Sequence, residues 1–424
     1  MVTYSFYFFL SPLIWLLLIF SSLFFPKIRK HLYHQKTTWI LANHKIKKNA
    51  KGKTIILFHA ASSGEYEQLV PILKIIDRNK YFIILSFFSP TIYEIEKNNT
   101  LAEHVVYLPF DFPWSIKKFY KLVTPSYHIT TRHDIWPNLL KISNNMGIKN
   151  ILINANLYNE SIRKYWFFIR FNKYIFSKFD KIMTGSNQIK ENFKDFIDIK
   201  KITITGDSRF DQVLNRKINN KKNQLPNRFN NSKIIIFGSI LPSDYNIIFK
   251  AINTYYNEGN KTLIKKNHKL IFVPHENNKT EINYLLKILK KYNFNPSLYT
   301  DNFQNISSNT LIVNVLGKLA DLYHYAKISY IGGGFSSGVH SVIEPAIYGN
   351  AISYGPNYSI LDEANSLFKK NISYVIKNDI DLKEFFKLFD DENELNIIKN
   401  KTIKFVKDRT GASEKIVYEI FKNL

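Results

Sequence analysis

The chain has 424 residues, 45% of them hydrophobic and none of them cysteine, which is too long for a single core and excludes both a disulfide framework and a thiolate metal site. Its 59 Lys and Arg against 34 Asp and Glu give a formal net charge of +25, so anionic partners are favoured. The lysines are spread through Asn- and Ile-rich sequence with no dense Arg tract, basic helix or recognisable DNA-binding motif, so anionic lipid and phosphorylated substrates are expected and nucleic acid is not.

Tyr4 to Phe25 carries no formal charge and is followed by Pro26-Lys27-Ile28-Arg29-Lys30. A run of that length spans a hydrocarbon core, and the basic flank on its C-terminal side places the rest of the chain in the cytoplasm. Residues 1–26 are therefore read as a single N-terminal membrane anchor, whose removal is expected to leave the later cores undisturbed. Aromatic content and Ser11-Pro12 also allow insertion at the interface.

From Lys53 short apolar strands alternate with amphipathic segments, the rhythm of a parallel sheet covered by helices on both faces. Strands are predicted at Thr54–His59, Phe82–Phe87, His104–Leu108, Tyr127–Thr131, Asn150–Asn154, Lys181–Thr184 and Ile202–Thr205, and residues 27–215 form the first domain. Ala60-Ala-Ser-Ser-Gly-Glu65 follows the first strand, which puts Glu65 at the carboxyl edge, where ligands bind in open α/β folds. Ser62 and Glu65 also have the spacing of a capping box, so a helix cap is the alternative role. Arg132-His133-Asp134-Ile135-Trp136-Pro137 brings a carboxylate, an imidazole and a guanidinium to the same edge; the alternative there is a packing corner. In Gly206-Asp-Ser-Arg209-Phe210-Asp211, Arg209 either faces the site or pairs with Asp211.

The Lys- and Asn-rich stretch 216–232 reads as a linker. Residues 233–424 restart the alternation, with strands at Ile234–Gly238, Leu270–Pro274, Leu311–Val313 and Ile328–Ile331 and helices to the C-terminus. Pro274-His275-Glu276 ends one strand, and Gly317-Lys318-Leu319 opens a helix that could offer N–H groups to a phosphate. Tyr330-Ile-Gly-Gly-Gly-Phe-Ser-Ser-Gly-Val-His340-Ser341-Val-Ile-Glu344-Pro345 empties a strand into glycines that let backbone approach a phosphate. A carboxylate at Glu344 could accept from a ribose diol. No third ligand is spaced to complete a metal site with His340 and Glu344.

Taken in order, these segments resemble the 3-deoxy-D-manno-octulosonic acid (Kdo) transferases, membrane-anchored GT-B glycosyltransferases of lipopolysaccharide synthesis, from the N-terminal run to about Phe368. The family's Ala-Ser-x-Gly-Glu stands as Ala61-Ser62-Ser63-Gly64-Glu65, its Glu-x-Trp-Pro as Asp134-Ile135-Trp136-Pro137, and its Thr-Gly-Asn-x-Lys-Phe-Asp as Thr205-Gly206-Asp207-Ser208-Arg209-Phe210-Asp211. The resemblance implies an α/β fold of GT-B type, two Rossmann-like domains facing a central cleft. It implies inverting, metal-independent transfer of Kdo from CMP-Kdo to a lipid A precursor (lipid IVA) at the inner membrane, with no further cofactor. Glu65 would be the general base, and Asp134 and Arg209 would assist the transition state.

The donor half would use Pro274, His275, Gly317, Lys318, Leu319, Gly333, His340, Ser341 and Glu344. Two departures weaken that match: the family's Pro-Arg-His is Pro274-His275-Glu276, losing a cation, and Ser341 stands where Asn is usual. Another membrane-associated GT-B transferase, a nucleotide-sugar epimerase, or a tethered polyanion-binding protein without catalysis are the competing readings.

Overall fold

The computed structural model describes residues 2–158, 161–220, 224–230, 232–300 and 306–422. They form two compact units, 1–212 together with 410–424, and 213–409.

The first unit is built on an all-parallel sheet of β1 (Thr54–Ala60), β2 (Tyr81–Phe87), β3 (His104–Tyr107), β4 (Tyr127–Thr131), β5 (Lys149–Ala155), β6 (Lys181–Thr184) and β7 (Ile202–Ile204), in the order β3-β2-β1-β4-β5-β6-β7. These strands read as near-continuous apolar runs because helices cover both faces. Alternation along β1 sends Ile56 and Phe58 to one side, with Leu69 and Ile72, and Leu57 to the other, with Trp39, Phe119 and Tyr120. Phe58 lies in register with Leu85 of β2 and Ile129 of β4.

Two helices precede the sheet, α1 (Val2–Phe24) and α2 (Pro26–Asn49). The second lies between the predicted anchor and the first predicted strand, where the sequence suggested no element. Pro26 opens it, where a missing N–H costs nothing, and it covers the sheet through fully buried Trp39, whose indole N–H donates to the Tyr107 carbonyl at 2.7 Å.

α1 includes a 21-residue stretch, Tyr4–Phe24, long and apolar enough to cross a membrane. It is nevertheless docked along one side, which corrects the expectation that it can be removed without consequence. Tyr4 donates to Asn138 Oδ1 at 2.9 Å, Tyr7 donates to Asp111 Oδ2 at 2.8 Å, and Trp15 packs edge-on against Phe112. Asp111 also accepts from the Asn138 and Leu139 N–H groups, so Tyr7 completes the partners of a buried carboxylate.

The final helix, Ala412–Phe421, belongs to the first unit and not to the second domain as read from the sequence. Ile416 and Ile420 join the core around α3 (Ser63–Ile75). Asp211 clasps its start, accepting from Gly411 N, Ser413 N and Ser413 Oγ at 2.6–2.7 Å. The unit boundary correspondingly falls at 212/213, inside the helix Arg209–Ile218, ahead of the stretch read as linker.

The second unit repeats the plan with β8 (Lys233–Ile240), β9 (His268–Pro274), β10 (Pro296–Leu298), β11 (Thr310–Ile312), β12 (Ile328–Ile331), β13 (Ala351–Tyr354) and β14 (Ser373–Val375), ordered β10-β11-β9-β8-β12-β13-β14 and parallel throughout. Each sheet is thus Rossmann-like, with a switch point at which the strand order reverses between β1 and β4 in the first and between β8 and β12 in the second, where β11 also inserts between β9 and β10.

Candidate active site

In the first unit the predicted residues gather at the carboxyl ends of the strands beside the reversal. Glu65 stands in the first turn of α3, directly after β1. Its Oε2 accepts from the Ala61 N–H at 2.7 Å, whereas the Ser62 side chain makes no cap hydrogen bond in return. The carboxylate thus reaches back past Ser62 to the residue before it, without the reciprocal bond of a capping box, and this hydrogen bond fixes it in place. Burial raises the Glu65 carboxyl above 4.5, and the nearby charge of Asp134 adds to the rise while the Ala61 N–H and His59 oppose it. A Cβ at Gly64 would meet nothing within 4 Å, so the backbone beside Glu65 opens onto space.

Asp134 follows β4, the strand on the far side of the reversal. His59, in β1, is hydrogen-bonded to it through Nε2. Burial works against ionisation of Asp134, but the His59 bond and charge outweigh it and hold the carboxyl below its ordinary value. Sequence reasoning missed His59; its signal was a lone imidazole in an apolar strand. It also missed Arg163, whose Nη2 donates to the His133 carbonyl at 3.2 Å. Arg132, Arg163 and Arg209 are all close enough to act electrostatically on the His133 ring, so three guanidinium groups stand at this edge beside its carboxylates.

Arg209 begins the helix after β7 and pairs with Asp207, through Nε at 2.9 Å and Nη2 at 2.7 Å, and not with Asp211. Ser208 ties this loop to α3, donating from Oγ to the Gln68 carbonyl at 2.6 Å, one turn beyond Glu65. Glu65, Asp134 and Arg209 therefore share one edge of one sheet.

In the second unit the donor-type residues flank the other reversal. A Cβ at Gly332 would lie 2.3 Å from the Ser239 carbonyl oxygen, so only glycine lets the end of β12 pass so close to the end of β8. The glycine loop spends much of its backbone internally: Gly333 N–H donates to Asp244 at 3.0 Å, Gly338 N–H to Gly333 O at 3.1 Å, and His340 N–H to Gly332 O at 3.2 Å. After the glycines the chain runs through His340 and Ser341 as a loop, and a helix of six residues begins at Ile343, with Glu344 in its first turn. Gly317 and Lys318 precede a four-residue helix, Leu319–Leu322. His275, after Pro274, stacks on His340 with centroids 4.4 Å apart and takes Ser239 Oγ at Nδ1 at 2.9 Å. Burial, then the charge of His275, lowers His340 to about 4, and its buried Nε2 makes no hydrogen bond. Asp244, absent from the sequence reading, anchors the loop by accepting from Gly333 N–H, Leu241 N–H and the Tyr330 hydroxyl.

Among the described residues, no group of three or more His, Asp or Glu could hold a metal ion. Asp379 and Asp381, an Asp-x-Asp pair, lie in the first turn of the helix Asp379–Phe386, where Asp381 accepts from the Lys377 N–H.

Residues 33–212 match the family described as 3-Deoxy-D-manno-octulosonic-acid transferase (kdotransferase). The Kdo transferase of Aquifex aeolicus is 30% identical over 339 residues, 79% of this chain and 85% of that protein. The chain belongs to the Kdo transferase family. It is a glycosyltransferase of lipopolysaccharide biosynthesis. The Kdo transferase of Chlamydia muridarum is 25% identical over 413 residues, 93% of this chain and 92% of the relative. The UDP-GlcNAc 2-epimerase from Neisseria meningitidis bound to UDP-GlcNAc superposes with a TM-score of 0.62, covering 88% of this chain and all of that one, at 14% identity. That likeness shows the GT-B type of fold, and the Kdo transferase relatives separate this chain from the epimerases.

Proposed function

We propose that the chain transfers Kdo from CMP-Kdo to a lipid A precursor with inversion and without a metal ion, Glu65 removing the proton from the acceptor hydroxyl. The observation that carries this reading is the placement of Glu65: a carboxylate fixed at the end of β1, raised by burial, facing open backbone at Gly64 and neighboured by Asp134 across the strand reversal. A base near the working pH transfers protons most efficiently, and burial moves a carboxyl in that direction. Arg132, Arg163 and Arg209 supply cationic surface for the anionic groups of donor and acceptor. On the donor side, His275, His340, Ser341, Gly317, Lys318, Leu319 and Glu344 would meet CMP, with Gly333 holding the loop in shape.

The acceptor is an anionic glycolipid, and an anionic bilayer is the surface that fits this chain. Ile162, Tyr165, Trp166, Phe167 and Phe168 are exposed apolar residues, Trp166 at 73%, and Arg163, Lys164, Arg170 and Lys173 are interleaved with them and no acid is. Aromatic side chains among basic ones favour the headgroup region. Tyr4 of α1 packs on Tyr174, near the end of the helix Trp166–Phe176 that carries Trp166, Phe167 and Phe168. The charge-free run and its basic flank support placing the anchor in the inner membrane with the catalytic body in the cytoplasm.

The test is incubation of purified full-length chain with CMP-Kdo and lipid IVA, followed by mass spectrometry of the lipid. A mass increase of whole Kdo units supports the proposal, and unmodified lipid with intact donor refutes it.

A further inference from the structure

The ring of His59 is fully buried and held from both sides, and the acceptors around it decide where its hydrogens lie. Nδ1 is 3.1 Å from the Ser86 carbonyl oxygen and 3.0 Å from Ser86 Oγ. The Ser86 hydroxyl directs its own hydrogen to the Phe58 carbonyl at 3.1 Å. Both atoms facing Nδ1 therefore accept, and Nδ1 carries a hydrogen. Nε2 meets Asp134 Oδ2, an atom with no hydrogen of its own unless the acid is protonated. The bridge between ring and carboxyl accordingly contains a single hydrogen, on nitrogen as imidazolium and carboxylate, or on oxygen as imidazole and carboxylic acid. Either way the pair is neutral as a whole.

We propose that His59 is a positioning residue for Kdo transfer: it shares one proton with Asp134, and the neutral pair orients Asp134 and keeps an uncompensated negative charge away from Glu65. The sequence makes this possible because β1 and β4 are neighbours at the strand reversal, so a residue near the end of one faces the loop leaving the other. No proton leaves the pair; it moves only within the bridge. A bare carboxylate beside Glu65 would hold the base protonated at the pH where it must accept, whereas a neutral pair leaves it able to ionise.

The other charged or titratable groups acting on this site are few. His128, on β4, has its ring centroid 6.4 Å from that of His59, and burial first, then His59, pushes it down to about 3, so it remains neutral. Asp111 and Arg163 each feel the charge of Asp134. None of the three meets Nδ1 or Nε2 of His59.

The inference rests on Glu65 being the base, and the two are tested separately. Glu65→Gln addresses the base, through loss of turnover. For the pair, the acid limb of the pH profile of kcat/KM is measured for wild type, His59→Gln, Asp134→Asn and the double variant. His59→Gln leaves Asp134 as a lone carboxylate and is expected to move the limb upward by about one pH unit. Asp134→Asn removes that charge, so the double variant is expected to return to the limb of Asp134→Asn alone. A merely structural His59 would lower the melting temperature and leave the limb in place, and that result overturns the proposal. Should His59→Gln not fold, nitrogen-15 histidine spectra of the wild-type full chain decide the matter. A protonated Nδ1 and a far-downfield bridging proton that vanishes in Asp134→Asn are expected; an unprotonated Nδ1 at His59 overturns it.

Discussion

Replacing Glu65 by Gln removes the proposed base while keeping an oxygen that can accept from the Ala61 N–H. Loss of general-base catalysis costs about two to four orders of magnitude in rate. Stability responds differently, because two effects oppose. The wild-type carboxyl is raised by burial above 4.5, so ionising it in the folded state costs about 1.4 kcal/mol for each tenfold weakening of its acidity. Against that, its charged hydrogen bond is exchanged for a neutral one, a loss of about 1 kcal/mol. The net change at pH 7 is expected within about 1 kcal/mol, or about 4 °C in melting temperature. The sign with pH also follows. A raised carboxyl binds more protons folded than unfolded, so wild-type stability contributed by Glu65 is present at low pH and lost as pH rises through 4.5 and the raised value, a slope the Gln variant lacks. Activity runs the other way and is lost as pH falls, because the protonated acid cannot accept. The assay is single-turnover transfer from CMP-Kdo followed by mass spectrometry, with thermal melts across pH 4 to 8. More than about a tenth of wild-type turnover in Glu65→Gln would show that the residue serves α3 as a cap and does no proton transfer.

Glu344→Ala is expected to weaken CMP binding by about 1.5–3 kcal/mol if its carboxylate holds the ribose, and calorimetric titration with CMP measures it; unchanged affinity assigns it to the helix start. His275→Arg restores the cation usual in the family and is expected to tighten CMP about 3- to 10-fold by a charge-assisted bond to phosphate, with equal or weaker binding counting against a phosphate clamp there. Asp211→Ala removes three hydrogen bonds to residues 411 and 413 and is expected to destabilise the first unit by about 2–4 kcal/mol. Amide exchange over residues 412–421 should quicken first, and unchanged protection there would contradict the clasp. Trp166→Ala with Phe167→Ala is expected to reduce binding to anionic vesicles at least about tenfold, since each ring buries roughly 1.5–3 kcal/mol of apolar surface. Retained binding would leave the attachment to α1 alone.

The residues 1–26 illustrate what one sequence shows and where it stops. Length and apolarity identify a helix able to cross a bilayer, because those are properties of the segment by itself. Whether that helix also packs on the body depends on partners far along the chain, Asp111, Asn138 and Phe112, and no local pattern encodes them. Most strands of both units were legible for the same reason that they are buried: a parallel sheet needs short, nearly unbroken apolar runs. Those missed, Pro296–Leu298, Ala351–Tyr354 and Ser373–Val375, each include a serine and offer no unbroken apolar run. The helix Pro26–Asn49 was missed because its buried stripe includes His31, Gln35 and Thr38, which read as polar until the carbonyls of Phe88 and Leu108 are placed beside the His31 ring.

At the site, the sequence by itself determined which chemical groups stand at strand ends: Glu65 after β1, Asp134 after β4, Arg209 after β7, and the glycines after β12. Position at a strand end is a local property, read from where apolar runs stop. Only the tertiary structure decided which ends are neighbours, because strand order is set by long-range pairing. It put β1 beside β4, and so His59 against Asp134; it turned Arg209 to Asp207, and gave Asp211 to the returning C-terminal helix. Pairing of a charge is a question of distance in space, and spacing along the chain carries that information only within a helix turn or a strand.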